Sequence, residues 1–267
     1  MKYIEYKPSE LLSEYIQLIW IAEAESPEDY YPREKVLPDG IVEIIFHFAD
    51  PFITYNINGE GLKQSKGFAI SQMKNFIEIE SDGNIGFVSV RFYPWGAHHF
   101  FDFPISNFLD GQIDISLLWS GSFQKILNDL INISNDKRVT IVQDFLQDQL
   151  RKYKKETQVI DHCIKAIRES KGHYTIDELC QNMNLHYKQL ERKFLSTIGT
   201  TPKVFSRTTR FLHLCHHLKD YENLTMTQLA LDLGYFDQAH FTKDFKAFSG
   251  LTPKEYYRQK NICFAEF

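Results

Sequence analysis

Cysteine is scarce in this chain, and its spacing suggests no pairs. The 267 residues include four cysteines: Cys163, Cys180, Cys215 and Cys263. A disulfide framework or a cysteine zinc cluster needs pairs at short, regular spacing. We therefore expect reduced thiols in a cytosolic protein.

Long hydrophobic runs and a net positive charge are also missing. No run reaches the roughly 18 apolar residues of a membrane-spanning helix, and residues 1–8 lack the apolar core of a signal peptide. We expect a soluble, cytoplasmic protein with no membrane partner. The net charge of −5 argues against a chain that binds nucleic acid over its whole surface.

The charge is nevertheless distributed unevenly. Residues 1–155 carry 15 Lys and Arg against 22 Asp and Glu, whereas residues 156–267 carry 15 against 13. Within residues 185–219, Glu191 is the one acidic residue among seven basic ones: Lys188, Arg192, Lys193, Lys203, Arg207, Arg210 and Lys219. A local basic patch is the electrostatic footprint that a nucleic-acid-binding surface requires.

The C-terminal part of the chain contains a duplication. Gly-Thr-Thr-Pro-Lys-Val-Phe-Ser-Arg at 199–207 returns 51 residues later as Gly-Leu-Thr-Pro-Lys-Glu-Tyr-Tyr-Arg at 250–258. The apolar residues before the two copies also match: Leu190, Phe194 and Ile198 in the first, Phe241, Phe245 and Phe248 in the second. Each copy predicts a helical unit ending in a helix with one apolar and one polar face.

The first half has the pattern of a β-rich domain. From Val36 to about Phe101, short runs of Ile, Val, Phe and Tyr are separated by turn-forming residues. Helices are predicted for Pro8–Trp20, Ser116–Asn132 and Val139–Lys155, and the Lys-rich segment 151–155 is a candidate linker. The expected fold class is α+β: a β-rich, barrel-like or sandwich-like domain at 1–155 and an all-α domain with two helix-turn-helix units at 156–267.

The first domain contains candidate residues for two kinds of site, a metal site and an effector pocket. Imidazole and carboxylate groups suit several divalent metals, and the candidate ligands are Glu43, His47, His98 and His99. Their spacing matches no metal motif, so we expect no metal and no cofactor. Trp20, Trp95 and Trp119 could line an effector pocket, although aromatic residues more often fill a core.

The first copy predicts a helix-turn-helix unit. Thr175-x-x-Glu178 is a capping box that begins a short helix, and residues 182–184 form the turn. A second helix follows from about His186 to Thr197. The face opposite its apolar stripe carries Lys188, Glu191 and Arg192, and such a face can enter the major groove.

The second copy repeats this design. Thr225-x-x-Gln228 is its capping box, Gly234 suits the left-handed turn, and Asp237 begins the second helix. The polar face of that helix consists of Gln238, Ala239, His240, Thr242 and Lys243. Arg and Lys can donate to guanine, Gln can pair with adenine, and Ala or a Thr methyl can contact thymine.

A long helix is predicted between the copies, from Lys203 to about Tyr221. Its roughly 18 residues would span about 27 Å, which suits recognition helices set about 34 Å apart, one turn of DNA. His213 and His217 share a face of this helix, but no second ligand cluster lies nearby, so we expect no zinc site.

Residues 158–260 resemble the C-terminal DNA-binding module of AraC-family transcription regulators. The most specific stretch runs from Leu229-Ala230 through Gly234-Tyr235 and the Phe241-Thr242-Lys243-Asp244-Phe245-Lys246 core to Gly250-Leu251-Thr252-Pro253. The stretch 185–194 matches the first recognition helix less closely, with His186 where the family usually has Ser. Trp20, Pro38-Asp39-Gly40 and the segment 90–96 resemble an N-terminal domain that often precedes this module.

The resemblance implies a transcription regulator that binds double-stranded promoter DNA and contacts RNA polymerase. It implies a cupin-like first domain that binds a small-molecule effector or forms a homodimer. The implied DNA-binding positions are Lys188, Glu191, Arg192, Gln238, Ala239, His240, Thr242 and Lys243. Two alternatives stay open: a small-molecule-binding or metal-dependent barrel enzyme with a helical interaction tail, and an alkyl-transfer DNA-repair protein, which would need an activated cysteine.

Overall fold

In a computed structural model of the protein, the described residues are 1–24, 33–108, 112–119, 123–217 and 224–258. Their strands form two antiparallel sheets rather than one closed barrel. The larger sheet has the order β1-β2-β9-β4-β7-β10, with the strands Lys2–Tyr6, Ile16–Glu23, Gly86–Phe92, Glu43–His47, Gly67–Ile70 and Gln112–Asp114. The smaller has the order β3-β8-β5-β6, with Glu34–Val36, Ile77–Glu80, Ile53–Tyr55 and Gly61–Lys63.

Helices follow the sheets. Two 3-10 helices, Ala97–Phe100 and Ile105–Phe108, precede the α-helices. The α-helices are α1 Ile115–Leu118, α2 Phe123–Asp129, α3 Asn135–Tyr153, α4 Gln158–Glu169, α5 Ile176–Met183, α6 Tyr187–Ile198, α7 Pro202–His216, α8 Met226–Asp232, α9 Gln238–Ser249 and α10 Pro253–Arg258. This confirms the predicted class, a β-rich domain followed by an all-α domain with two helix-turn-helix units.

The core of the first domain lies between the larger sheet and helices α1 to α3. Strand β9 is buried along almost its whole length because β2 and β4 pair with its two edges. Trp20 and Phe87 pack edge to face beside this core, with ring centroids 5.0 Å apart. Trp119 stacks on Phe101 at 5.1 Å. These two tryptophans are therefore core residues.

The predicted helix at Pro8–Trp20 is wrong. One helical turn forms, with the amide of Ser13 donating to the carbonyl of Ser9, and strand β2 begins at Ile16. Leu12, Tyr15, Ile16 and Ile19 do recur at helical spacing, which caused the error. Two neighbouring strands override that pattern, because β2 pairs with β1 along one edge and with β9 along the other.

Two further helix predictions and the linker prediction need correction. The helix expected over 116–132 is divided, since α1 ends at Leu118 and Trp119 adopts a non-helical φ of −132°. Residues 151–153 of the expected linker belong to α3. Helix α7 ends at His216, so its 15 residues span about 22 Å rather than 27 Å. Residues 218–221 of that prediction lie outside the described ranges.

The first domain packs against both helix-turn-helix units. Leu37 joins the apolar core of the second unit, and Trp95 packs against the core of the first. At the end of the first domain, the Lys155 amide donates to His99 Nδ1 at 3.1 Å and Lys155 Nζ donates to the Phe101 carbonyl at 2.6 Å. The boundary predicted at 155/156 stays a prediction.

Candidate nucleic-acid interface

The first helix-turn-helix unit is formed by α5 and α6. The Thr175 amide donates to Glu178 Oε2 at 2.9 Å, and the Glu178 amide donates to Thr175 Oγ1 at 3.2 Å, so the predicted capping box is present. Asn184 then turns the chain in the left-handed conformation, with φ +49°. Asn tolerates this conformation better than most residues. The local sequence thus fixes both the start of α5 and the turn that orients α6.

Helix α6 presents a polar face to solvent. Leu190, Phe194 and Ile198 on its apolar stripe are all fully buried. Lys188 and Arg192 are exposed on the other side, and Glu191 between them is half-buried and accepts a hydrogen bond from the Tyr187 hydroxyl at 3.1 Å. The three predicted DNA-binding positions of this unit therefore share one face.

The start of α6 does not depend on a serine cap. The backbone amide of His186 donates to Gln189 Oε1 at 3.0 Å. The side chain three residues into the helix therefore satisfies an amide at the helix N-terminus. Although His186 stands where the family usually has Ser, the backbone amide at the start of α6 still has a hydrogen-bond acceptor.

The second unit is formed by α8 and α9. The Thr225 amide donates to Gln228 Oε1 at 3.0 Å, and Gly234 adopts φ +72° in the turn. The His240 amide donates to Asp237 Oδ1 at 2.7 Å, so Asp237 caps α9 as predicted. The two second helices begin at equivalent positions, because His186 and Asp237 lie the same 51 residues apart as the duplicated segments.

The polar face of α9 is exposed like that of α6. Gln238, Ala239, His240 and Lys243 are exposed, and Thr242 is half-buried. Gln238 Oε1 accepts a hydrogen bond from the Thr227 hydroxyl at 3.0 Å, which ties the start of α9 to α8. Bidentate pairing of Gln238 with adenine would use that oxygen, so the Thr227 contact would have to be shared or broken.

A buried ion pair joins α7 to α9. Arg207 donates from Nε and Nη2 to the two carboxylate oxygens of Asp244, each at 2.7 Å, and the Asp244 side chain is 6% exposed. Sequence reasoning missed this pair. Its one signal is an acidic residue, Asp244, directly beside Phe245 on the buried stripe of α9.

This ion pair also corrects the extent of the basic patch. Arg207 is committed to Asp244, while Arg210 donates to the Gly172 carbonyl at 3.0 Å and lies over the Tyr235 ring. Both arginines therefore hold elements of the helical domain together. The exposed cations of the patch are Lys188, Arg192, Lys193 and Lys203, and Lys219 lies outside the described residues.

The first domain reaches the C-terminal end of each second helix. Gly199 and Gly250 end α6 and α9 in the left-handed conformation, with φ of +85° and +76°. A methyl group at Gly199 would lie 2.8 Å from Ile105 Cγ2, and one at Gly250 would meet the Phe76 ring. The duplicated Gly-x-Thr-Pro segment thus ends each second helix and also contacts the first domain.

The candidate metal ligands of the first domain have other partners. His47 is buried, hydrogen-bonds through Nε2 to Gln64 Oε1 at 2.9 Å, and burial lowers its pKa to about 4. Glu43 accepts from Trp20 Nε1 at 3.0 Å. His98 and His99 lie on a 3-10 helix rather than a strand, and burial lowers the pKa of each to about 4. Among the described residues, no three His, Cys, Asp or Glu side chains are grouped to hold a metal.

Of the three described cysteines, Cys163 and Cys215 are buried in the core and Cys180 is half-buried. Burial raises the pKa of Cys163 to about 11 and also raises the pKa values of Cys180 and Cys215. The thiolate is the reactive form of cysteine, and these shifts disfavour it. Cys263 lies outside the described residues. The repair alternative therefore gains no activated thiol from the three described cysteines.

Comparison with known proteins matches both parts of this architecture. Residues 179–259 match the family described as a helix-turn-helix domain, and residues 4–114 match a domain of unknown function, DUF6597. The C-terminal region is an AraC-type helix-turn-helix domain. The matched region contains α6 and α9 with all eight predicted DNA-binding positions.

Relatives of the AraC-type domain carry regulator names. An uncharacterised HTH-type transcriptional regulator of Staphylococcus aureus is 31% identical over 102 residues, which cover 38% of this chain and 13% of that protein. The HTH-type transcriptional activator RhaR of Salmonella dublin is 24% identical over 118 residues, covering 44% of this chain and 41% of RhaR. The chain thus spans well under two thirds of the length of either relative.

Among solved structures, ToxT from Vibrio cholerae aligns with 96% of this chain and 98% of its own, at 10% identity and a TM-score of 0.46. A TM-score this low does not establish a common fold.

In the described part of the chain, no helix is long and apolar enough to cross a membrane.

Proposed function

We propose that this protein is a sequence-specific, DNA-binding transcription regulator that reads two adjacent major-groove segments. The observation that carries the proposal is the pair of second helices, α6 and α9, each with an inward apolar stripe and an exposed polar face in the same register. One exposed polar helix is common on any surface. Two in one register, within an AraC-type domain, favour two DNA readers.

The eight proposed contacts fall into two chemically different sets. Lys188, Glu191 and Arg192 on α6 offer two cations and one carboxylate, which suit guanine and cytosine edges. On α9 the equivalents of Lys188 and Arg192 are Ala239 and Lys243, so this helix offers a methyl group where α6 offers a cation. The remaining proposed contacts of α9 are Gln238, His240 and Thr242. The two helices therefore read different half-sites.

The helical domain holds the two readers in a fixed relation. Helix α7 connects the units, and the buried Arg207–Asp244 pair fixes α7 to α9. The separation proposed for the recognition helices is about one turn of DNA, roughly 34 Å. A single chain would then reach two half-sites on one face of a duplex.

The first domain is proposed to control DNA binding. Its contacts with Gly199, Gly250 and α7 would transmit a change in the first domain to both readers. The family resemblance alone supports three further parts of the proposal: a small-molecule effector, contact with RNA polymerase and formation of a homodimer. A cytoplasmic location is part of the proposal, since a regulator must reach promoter DNA, and the proposal assigns no catalytic step, cofactor or metal.

The test is binding of the full chain to a fluorescein-labelled duplex that the wild-type protein selects from a randomised library. Arg192→Ala and Lys243→Ala should each weaken binding, by about 5- to 150-fold where a base contact worth about 1 to 3 kcal/mol is lost. Lys165→Ala, which removes a cation paired with Glu169 on α4, is the matched control and should bind like wild type. Unchanged affinity in both test variants would refute the proposal.

A further inference from the structure

A groove of about 500 Å³ runs beside the polar face of α6. One wall consists of α6 residues from Lys188 to Ser196, spaced so that they share one helix face, and it includes Arg192. The opposite wall is Pro104 and Ser106 of the first domain. The face proposed to read DNA is therefore continuous with a surface on the other domain.

The dimensions of duplex DNA indicate what would occupy this groove. An α-helix with its side chains is about 10 to 12 Å wide and the major groove is about 12 Å wide, so a recognition helix nearly fills it. A protein segment that lies beside such a helix must then face the sugar-phosphate ridge bordering the groove. Pro104 and Ser106 hold that position relative to α6.

The walls combine cations and hydroxyls, which suit phosphate groups, with apolar surface from Pro104 and Leu195, which suits the sugar carbons of a DNA strand. Ser106 adds a hydroxyl, a side-chain type that commonly contacts DNA phosphates, and the exposed cations Lys188 and Arg192, which are proposed to read bases, make the potential of the opposite wall more positive. Glu191 brings one carboxylate, which accepts from the Tyr187 hydroxyl. From Lys188 to Ser196 the wall is about 12 Å long. The phosphates of one strand are about 3.4 Å apart along the duplex axis, so the wall is long enough to contact more than one phosphate.

The first domain is fixed in this position by contacts at the end of α6. Ile105, between the two groove residues, is fully buried and lies against Gly199. His98 is half-buried on the preceding 3-10 helix and lies near the Ser196 backbone of α6. The acidic residue nearest in sequence to the 104–106 segment is Asp102, and its negative charge interacts with the positive charge of Lys155. The 104–106 segment is therefore packed directly against α6.

We propose that one sugar-phosphate strand of the duplex lies in this groove, so that the first domain contributes Ser106 to the DNA interface. The inference rests on the proposed function and extends it to a second domain. DNA binding then depends on how the first domain is docked, because the groove exists only while residues 104–106 lie against α6.

The test changes the charge at Ser106 and follows the salt dependence of binding. Ser106→Arg and Ser106→Glu are compared with wild type in the full chain, by anisotropy with the selected duplex, between about 50 and 200 mM salt. Asn107→Arg and Asn107→Glu are the controls, since Asn107 is exposed on the same 3-10 helix but does not line the groove.

A phosphate contact at Ser106 predicts opposite effects of the two charges. Ser106→Arg should bind more tightly at low salt, with a slope of log K against log salt steeper by about 0.9, which adds about a 3- to 4-fold loss over that salt range. Ser106→Glu should bind more weakly with a shallower slope. The Asn107 variants should show clearly smaller changes.

Three results would overturn the inference: no change in slope at Ser106, equal changes at Asn107, or tighter binding in both Ser106 variants. The last is expected if the 104–106 segment covers α6 and any disturbance uncovers it. Failure of the proposed function is a separate result, because Arg192→Ala would then also leave binding unchanged. Weaker binding by Arg192→Ala together with an unresponsive Ser106 refutes the groove proposal alone.

Discussion

At the residue scale, Asp244 is a charged residue on the buried stripe of α9, and it has a structural role. It is a carboxylate on the inner side of α9, and Arg207 satisfies both of its oxygens. Removing one partner of a buried ion pair leaves the other charge unpaired in a poorly solvated site, which costs more than the pair contributes. Arg207 therefore supports α9 from its inner side and is not available to the DNA-reading faces proposed for α6 and α9.

Arg207→Ala should lower the free energy of unfolding by about 3 kcal/mol, because it leaves the buried Asp244 carboxylate without its cation. The double variant Arg207→Met, Asp244→Leu should lose less, since neither charge remains. Urea unfolding monitored by circular dichroism measures both. If the double variant is the less stable of the two, the pair contributes net stability and the argument from desolvation is wrong.

His47 predicts a dependence of stability on pH. Its pKa is about 4 in the folded protein and about 6.5 unfolded, so the unfolded chain binds more protons between these values. The free energy of unfolding should therefore fall as the pH falls through that window, by up to about 3 kcal/mol from this residue. Comparing His47→Gln with wild type isolates the effect from the similar shifts at His98 and His99.

In thermal melts from pH 7 to pH 4, His47→Gln should lose less stability than wild type. His162→Gln, which changes an exposed histidine on α4, serves as the control and should follow the wild-type curve. Parallel curves for His47→Gln and wild type would show that burial does not lower the pKa of His47 in the folded protein.

At the scale of elements, the helical domain could be predicted from sequence better than the first domain. Capping boxes at Thr175 and Thr225 and the left-handed Gly234 are local signals, and local signals determine where short helices start and end. Strand β2 failed the same reasoning at Pro8–Trp20, because its conformation depends on pairing with β9, which lies about 70 residues further along the chain.

Contacts between elements could not be predicted at all. Nothing in the sequence signals that Ile105 would lie against Gly199, or that Gln238 would accept from Thr227. Such contacts depend on the packing of segments that are distant in sequence. The predicted reading positions are likewise assigned from helix faces and the family resemblance, and they stay a proposal until DNA binding is measured.

The end of α6 gives a prediction about domain packing. Gly199→Ala should destabilise the chain more than Gly59→Ala. Both glycines have positive φ, so alanine at either site costs about 1 to 2 kcal/mol, but only the Gly199 methyl would also lie 2.8 Å from Ile105. No atom lies within 4 Å of a methyl group at Gly59. Equal losses in urea unfolding would mean that the two domains are not packed together at α6 in solution.

At the scale of the whole molecule, the uneven distribution of charge makes the proposed DNA binding compatible with a net charge of −5. The acidic residues are concentrated in the first domain, whereas the exposed cations of α6 and α9 are grouped on the helical one. One exception to this division is the groove at residues 104–106, where the first domain borders the proposed interface. The surface proposed to bind DNA would then include the place where the first domain contacts α6.

The most direct test is to determine which bases each recognition helix reads. Wild type, Arg192→Ala and Lys243→Ala are each used to select duplexes from a randomised library, and the enriched sequences are compared. We predict two half-sites about 10 base pairs apart, with Arg192→Ala relaxing the preference in one and Lys243→Ala in the other. A single enriched half-site, or loss of preference at the same bases in both variants, would contradict two independent readers in one chain.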